Sequence, residues 1–233
     1  MISTLTVDDL QFEVRWSDQR RTVGLTVDRE GELVISAPTG CGTDVLETFV
    51  REKRFWLYTK LAEKEALKEE VRPRQFVGGE GFPYLGRSYR LRVVDEQDAP
   101  LKLEHGRFHL RRDEATDGRR AFIRWYTARG KPWLDRRVTR FVPRVGAAPA
   151  SVEVRDLGFR WGSCGRNRSV CFHWATILLP PAVIDYVIVH ELVHLLEPNH
   201  TPEFWLAVER AMPDFEARRR RIAELGHACA ALF

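Results

Sequence analysis

From residue 4 to residue 37 apolar and polar positions alternate, the period of strands with one buried face. Phe12, Val14 and Trp16 share one face, and Val23, Leu25 and Val27 share the next. Leu33 and Ile35 follow a turn at Arg29-Glu30-Gly31. The pattern predicts an antiparallel β-meander that ends at Pro38. At Thr43 the period lengthens. Val45, Phe49, Phe55, Trp56, Tyr58 and Leu61 recur among charged residues, so a long amphipathic helix is expected over about 44–70, with Thr43 as its cap and the aromatic stripe facing the core. Turn residues return from Pro73 to Gly86, and short strands fit at 75–77, 89–94, 101–103 and 108–110. Helical periodicity resumes over 116–142, where Gly130 and Pro132 are expected to kink or break it. A short strand at 152–154 follows, then a strand, a tight turn and a strand within 160–174. A buried helix centred on residue 190 and a last helix over 214–231 complete the chain.

The fold class expected is α+β: an antiparallel β-rich N-terminal part with one long helix, then a part with a small sheet over the helix near residue 190. The polar stretch 113–120 divides them, giving domains 1–112 and 113–233, and no internal repeat is visible. With 233 residues, 44% hydrophobic and 30% charged, the chain has the balance of a globular protein of one large or two small domains. A net charge of +4 permits contact with nucleic acid without arguing for it. No apolar run reaches the length of a membrane span, and the N-terminus carries no secretory pattern, so a cytoplasmic location is expected. The four cysteines form no C-x-x-C pair, which argues against a structural zinc ribbon. Cys41, Cys171 and Cys229 read as packing residues, His105 and His109 as solvated hairpin residues, and the run Arg218–Arg221 as a solvated helix face. The sequence specifies no oligomeric state.

The chemistry concentrates in residues 185–200. His190-Glu191-Leu192-Val193-His194 is an H-E-x-x-H motif in an apolar, Val/Leu-rich helix. Residues four apart on a helix lie one above the other, so His190 and His194 can share one metal ion. Glu191 sits one position round, close enough to hold a water without being a ligand. Pro198 cannot continue the helix, so the chain bends after Leu196 or Glu197 and brings His200 back beside the metal. Thr201-Pro202-Glu203 then starts a new helix, with Thr as cap and Pro at the first position. His200 is the expected third ligand, and Glu197 is its competitor.

Beyond this helix, Arg160-Trp161-Gly162-Ser163-Cys164 forms the turn, Phe172-His173-Trp174-Ala175-Thr176 the following strand, Asp185-Tyr186-Val187 the approach to the motif, and Asn199-His200-Thr201-Pro202-Glu203-Phe204-Trp205 its sequel. In these segments, and across nearly the whole chain, the sequence resembles the YgjP-like family of zinc metallopeptidases, relatives of the SprT-like and WLM groups. It departs where His173 replaces the usual Asn and Ala175 the usual Arg, which leaves the metal site untouched and alters substrate choice if the usual pair anchors substrate; His173 reads equally as a polar group near the cleft or as a packing residue of the strand.

The resemblance implies a zincin-type fold with the catalytic helix beneath a small mixed sheet, a Zn2+ cofactor and a peptide or protein substrate. The strand at 172–176 would border the cleft, and a peptide would add to it as a further strand. Zinc would lower the pKa of water toward about 7, and Glu191 would act as general base. Candidate substrate or oxyanion contacts are Tyr186, His173, Trp161, Ser163 and Cys164. Cys164 is either a small buried residue closing the turn or a thiolate that closes the metal site and keeps the enzyme latent. Two other functions fit the same residues. One is a metal-dependent nucleotide phosphohydrolase, with Arg160, Arg166 and Arg168 holding phosphates. The other is a DNA-associated protease of SprT-like type.

Overall fold

The computed structural model describes residues 2–27, 32–66, 74–158 and 160–230. Among them it is a mixed α+β structure with three small sheets, in two compact units, Met1–Val71 and Arg72–Phe233.

In the first unit β1 (Ile2–Val7) pairs with β2 (Leu10–Ser17) as a hairpin, and β3 (Gly24–Val27) pairs with β4 (Leu33–Pro38) as another. The hairpins join through β2 and β4, which run parallel, so the strand order is β1-β2-β4-β3. The sheet is therefore mixed, and the expectation of a simple antiparallel meander is corrected. The reason lies in burial. Phe12 and Val14 of β2 and Leu33, Val34, Ile35 and Ala37 of β4 are all buried, whereas every residue of β3 is half-exposed. The most apolar strands take the centre and β3 takes the edge. The turn expected at 29–31 lies outside the described residues.

The long helix is two helices, α1 (Thr43–Glu52) and α2 (Arg54–Ala66), interrupted at Lys53 and capped by Gly42 in place of Thr43. Residues 67–70 lie outside the described range. The core-facing residues are Leu46, Val50 and Leu57, while Phe55 is 87% exposed and Trp56 is also exposed. The aromatic stripe thus does not form the core face: Leu46, Val50 and Leu57, four and seven residues apart, keep one face across Lys53, and Phe55 and Trp56 lie off it.

The second unit opens with the same strand topology built from different residues. β5 (Gly81–Tyr84) and β6 (Arg87–Val94) form one hairpin, and β7 (Leu101–Glu104) and β8 (Arg107–Arg111) form another. β6 runs parallel to β8, giving β5-β6-β8-β7. Residues 75–77 are a loop and not a strand, because the Glu80 carboxylate accepts the N–H groups of Gln75, Phe76 and Val77. Helix α3 (Gly118–Val145) buries Gly118, Phe122, Tyr126, Gly130, Leu134 and Val138 at four-residue spacing and runs past Pro132 without ending. It stops at Gly146, whose positive φ lets its N–H reach the Val142 carbonyl at 2.8 Å. Phe122 stacks on Phe82 at 4.0 Å between ring centres, Phe108 meets Phe122 edge-on at 5.0 Å, and the Tyr126 hydroxyl donates to the Pro83 carbonyl. This sheet and α3 share one core, so the division expected between 112 and 113 falls inside a single packed unit.

The third sheet has β9 (Ser151–Arg155), β10 (Gly162–Cys164) and β11 (Ser169–His173) in the order β10-β11-β9. β11 is central, buried along its whole length, parallel to β9 and antiparallel to β10. A buried 3-10 turn, Trp174–Leu178, leads into α4 (Pro181–Val193), followed by α5 (Pro202–Ala211) and α6 (Phe215–Ala230). The tight turn between β5 and β6 docks here, with Leu85 N–H donating to the Ile177 carbonyl at 2.9 Å and Gly86 N–H to the Leu178 carbonyl at 3.0 Å. Gly86 has a positive φ, and a Cβ on it would lie 2.8 Å from Pro180 Cα, so only glycine closes this contact. No helix of the described residues is long and apolar enough to cross a membrane.

One buried charge orients α4. The Asp185 carboxylate accepts two bonds from Arg137 of α3, at 2.7 and 3.0 Å, and Arg218 of α6 lies 3.8 Å away while donating to the Ala182 carbonyl. Removing one partner of a buried, doubly bonded pair costs about 3 kcal/mol because the other charge is left unmatched. Asp185→Ala should lower stability in urea denaturation by about that amount, and adding Arg137→Ala should cost little more.

Candidate active site

Helix α4 ends at Val193, but His194 keeps helical backbone angles, so His190 and His194 stay on one face. The chain then tightens: Leu195 N–H bonds to the Leu192 carbonyl and Leu196 N–H to the Val193 carbonyl, each spanning three residues in place of four. This ends the helix slightly before the expected bend at 196 or 197. The Glu197 carbonyl lies 3.0 Å from His194 Nδ1. A carbonyl only accepts, so Nδ1 carries the hydrogen and Nε2 presents its lone pair. Thr201 caps α5 by accepting from Phe204 N–H, with Pro202 at the first position, as its sequence predicts. That cap sets His200 between two rigid helices. His200 Nε2 lies 3.0 Å from His190 Nε2, and the ligand-capable atoms of His190, His194 and His200 lie within 4.8 Å of one another. The buried ring of Phe204 packs against all three imidazoles at 4.6 to 5.0 Å between centres.

Burial holds His190 down to about 3, with His194 and His200 adding to the effect, and burial also lowers His200. Imidazoles in that state are neutral and carry lone pairs. Two Nε2 atoms facing each other at 3.0 Å need a proton or a cation between them, so the donor set fits a metal ion.

Glu191 is buried beside this cluster, and burial pushes its carboxyl up to about 8, against the opposing pull of Arg160. Its position depends on Gly162 of β10. A Cβ on Gly162 would lie 2.5 to 2.7 Å from the Glu191 side chain, so the absence of one admits the carboxylate against the strand. Between α4 and β10 lies a cleft of about 780 Å³, lined on one side by Tyr186 and the histidines and on the other by residues 160–166 and Arg168.

A family model described as YgjP-like, metallopeptidase domain, matches residues 21–225. The chain belongs to the YgjP-like metallopeptidase family. No curated protein matches it. A solved structure with a weak likeness is the metallopeptidase zymogen of Pyrococcus abyssi abylysin, 20% identical, covering 40% of this chain and 94% of that one at a TM-score of 0.36.

In this YgjP-like metallopeptidase, Trp161, Ser163, Cys164 and Tyr186 line the cleft. Tyr186 lies one turn before His190, and burial raises its phenol above the usual range. His173 is not a cleft residue. It is buried in β11, where Nδ1 accepts from Ala175 N–H at 3.0 Å and Nε2 lies 3.3 Å from Asp156, so it caps the 3-10 turn. Ala175 is buried in that same turn. Both departures from the family pattern thus fall in packing. Burial and then the Glu191 charge push the Cys164 thiol up, which disfavours a thiolate, and the residue lies outside the histidine cluster. The strand bordering the cleft is β10, not 172–176, because β11 is paired on both sides.

Two features escaped the sequence pattern. One is Gly162, whose role exists only through its contact with Glu191. The other is the split of the arginine run. Arg218 turns inward to Asp185, and the Arg219 guanidinium stacks 4.7 Å above Trp205, which itself stacks on His200 at 5.7 Å. The aromatic residues at 204 and 205 were the available signal. Gly162→Ala should cost about 1–3 kcal/mol in urea denaturation through overpacking, and most of that penalty should vanish in a Glu191→Ala background.

Proposed function

We propose that this chain is a zincin-type, zinc-dependent peptidase in which His190, His194 and His200 hold the ion and Glu191 is the general base. The observation that carries the reading is the convergence of three imidazoles within 4.8 Å, beside a buried carboxylate on the same helix. An all-imidazole set suits zinc, whereas magnesium and calcium take oxygen ligands, which weighs against the nucleotide phosphohydrolase. When bound, the ion supplies Lewis-acid polarisation of the scissile carbonyl and lowers the pKa of water toward about 7.

The side chains divide the remaining work. Glu191, seated against Gly162, accepts the proton of the attacking water and delivers it to the leaving amine nitrogen. Tyr186 donates to the carbonyl oxygen as negative charge develops on it. The substrate lies along β10. Trp161 and Gly165 direct main-chain groups inward, to His173 and Ser169 of β11. In an antiparallel ladder the alternate residues, Gly162 and Cys164, turn theirs outward. Those groups pair with an extended peptide and lay it across the face of Glu191.

Digestion of a peptide library by the zinc-loaded protein tests the activity. Glu191→Gln should keep metal content and melting temperature, leave KM nearly unchanged and lower kcat by about 10²–10⁴-fold. Loss of zinc from that variant would make Glu191 a ligand or brace and defeat the assignment as base. His200→Ala should lose most of its bound zinc by elemental analysis. Full retention would remove His200 from the site and move the third position to Glu197.

A further inference from the structure

We propose that the cleft selects acidic polypeptide segments, holding substrate carboxylates between arginines at both ends of β10 and on α6. The proposal rests on the peptidase reading above and names its substrate class.

The charge around the cleft is one-sided. Arg160 precedes β10, Arg166 and Arg168 occupy the turn that follows it, and all three line the cleft. Arg219 of α6 does not line the cleft itself but is held over Trp205, which stacks on the cleft residue His200. Glu191 is the only carboxylate among the described lining residues, and it is buried against Gly162. Composition does not account for this, since the chain carries 37 Lys and Arg against 33 Asp and Glu. The arginines also act electrostatically on the site: Arg160 on Glu191, Arg168 on Cys164, and Arg219 on Tyr186, His190 and His200.

The placement matches an extended peptide. Gly162 and Cys164 offer the outward main-chain groups, and Arg160 and Arg166 stand two residues beyond each. At about 3.3 Å per residue, side chains flanking the paired segment come within reach of a guanidinium. The forked guanidinium binds a carboxylate through two parallel bonds. Arg168 spends one donor on the Ala148 carbonyl, and a guanidinium has five to offer. Phosphates of a nucleic acid would satisfy the same arginines, but they offer no main-chain ladder to the outward edge of β10.

The test is fluorescence anisotropy on zinc-loaded Glu191→Gln protein. Three labelled peptides of equal length carry Glu, Gln or Lys at the flanking positions, and a single-stranded oligonucleotide serves as the competing polyanion. The Glu peptide should bind on the order of tenfold tighter than the Lys peptide, with Gln between them and added salt narrowing the gap. Arg166→Glu, in the cleft lining, and Arg219→Glu, over Trp205, should each narrow the preference and together reduce it below about twofold, whereas Arg220→Glu should leave it intact. Melting curves check that each variant is folded. Equal affinity for Glu and Lys peptides, an unchanged preference in the double variant, or displacement of the Glu peptide by an equimolar oligonucleotide overturns the proposal. Cleavage by the wild-type protein separates the two claims. Equal kcat/KM on Glu and Lys peptides removes charge selection while the peptidase stands. Absence of cleavage of every peptide removes the peptidase reading, and the binding order alone then decides charge selection.

Discussion

Helix α4 is enclosed on nearly every side, and the rest of the second unit is arranged around that fact. From Val183 to Val193 every residue except His190 is buried. Each large apolar side chain in that stretch contributes about 1.5–3 kcal/mol on leaving water. Turning the helix by one residue would set side chains of the wrong shape against every neighbour, so its rotation is held by many contacts at once. His190 and His194 therefore project in a direction set by packing, before any ligand arrives. The two buried acids on the helix are accommodated separately. Asp185 meets Arg137 and Arg218, and Glu191 occupies the space that Gly162 leaves open.

The third imidazole depends on different elements. His200 leaves the helix path and is returned by the turn before α5, whose Thr201 cap and Pro202 fix where the next helix begins. Phe204, fully buried, carries the three imidazole rings on one aromatic surface. Trp205 continues the stack to Phe215, and Arg219 covers its face. A cation over an indole is worth about 0.5–1 kcal/mol when exposed, enough to bias where Arg219 rests without immobilising it. The same residue thus joins the support of His200 to the charge of the cleft.

The cleft's other wall is a short strand with one satisfied edge. β10 exists because β11 pairs with it, and β11 is held by β9 on its far side. Burying β11 completely leaves β10 as the edge strand on the cleft side. Its glycine admits Glu191, its neighbours supply arginines, and all three of its residues line the cleft. A single strand of three residues therefore seats Glu191 and carries much of that wall.

Much of this was legible from the chain alone. An H-E-x-x-H spacing, a Pro that stops a helix, and a Thr-Pro that starts the next are local signals, and local geometry converts them into side-chain positions without knowledge of the fold. The alternation in β2, β4, β6 and β8 is equally local, which is why those strands stand close to their expected places. Strand order is not local. Whether β4 lies beside β2 or beyond β3 depends on which strands bury the most apolar surface together, a comparison between segments that periodicity within each does not contain. The break at Lys53, the passage of α3 through Pro132 and the capping role of His173 depend likewise on neighbours distant in sequence. So do the inward turn of Arg218 and the fit of Glu191 against Gly162. The sequence determined which imidazoles can meet, His190 and His194 four residues apart and His200 across a turn ended by Thr201-Pro202, because that spacing is covalent. The tertiary structure decided what faces them, because the opposing wall is built by pairing and burial across residues far apart in the chain.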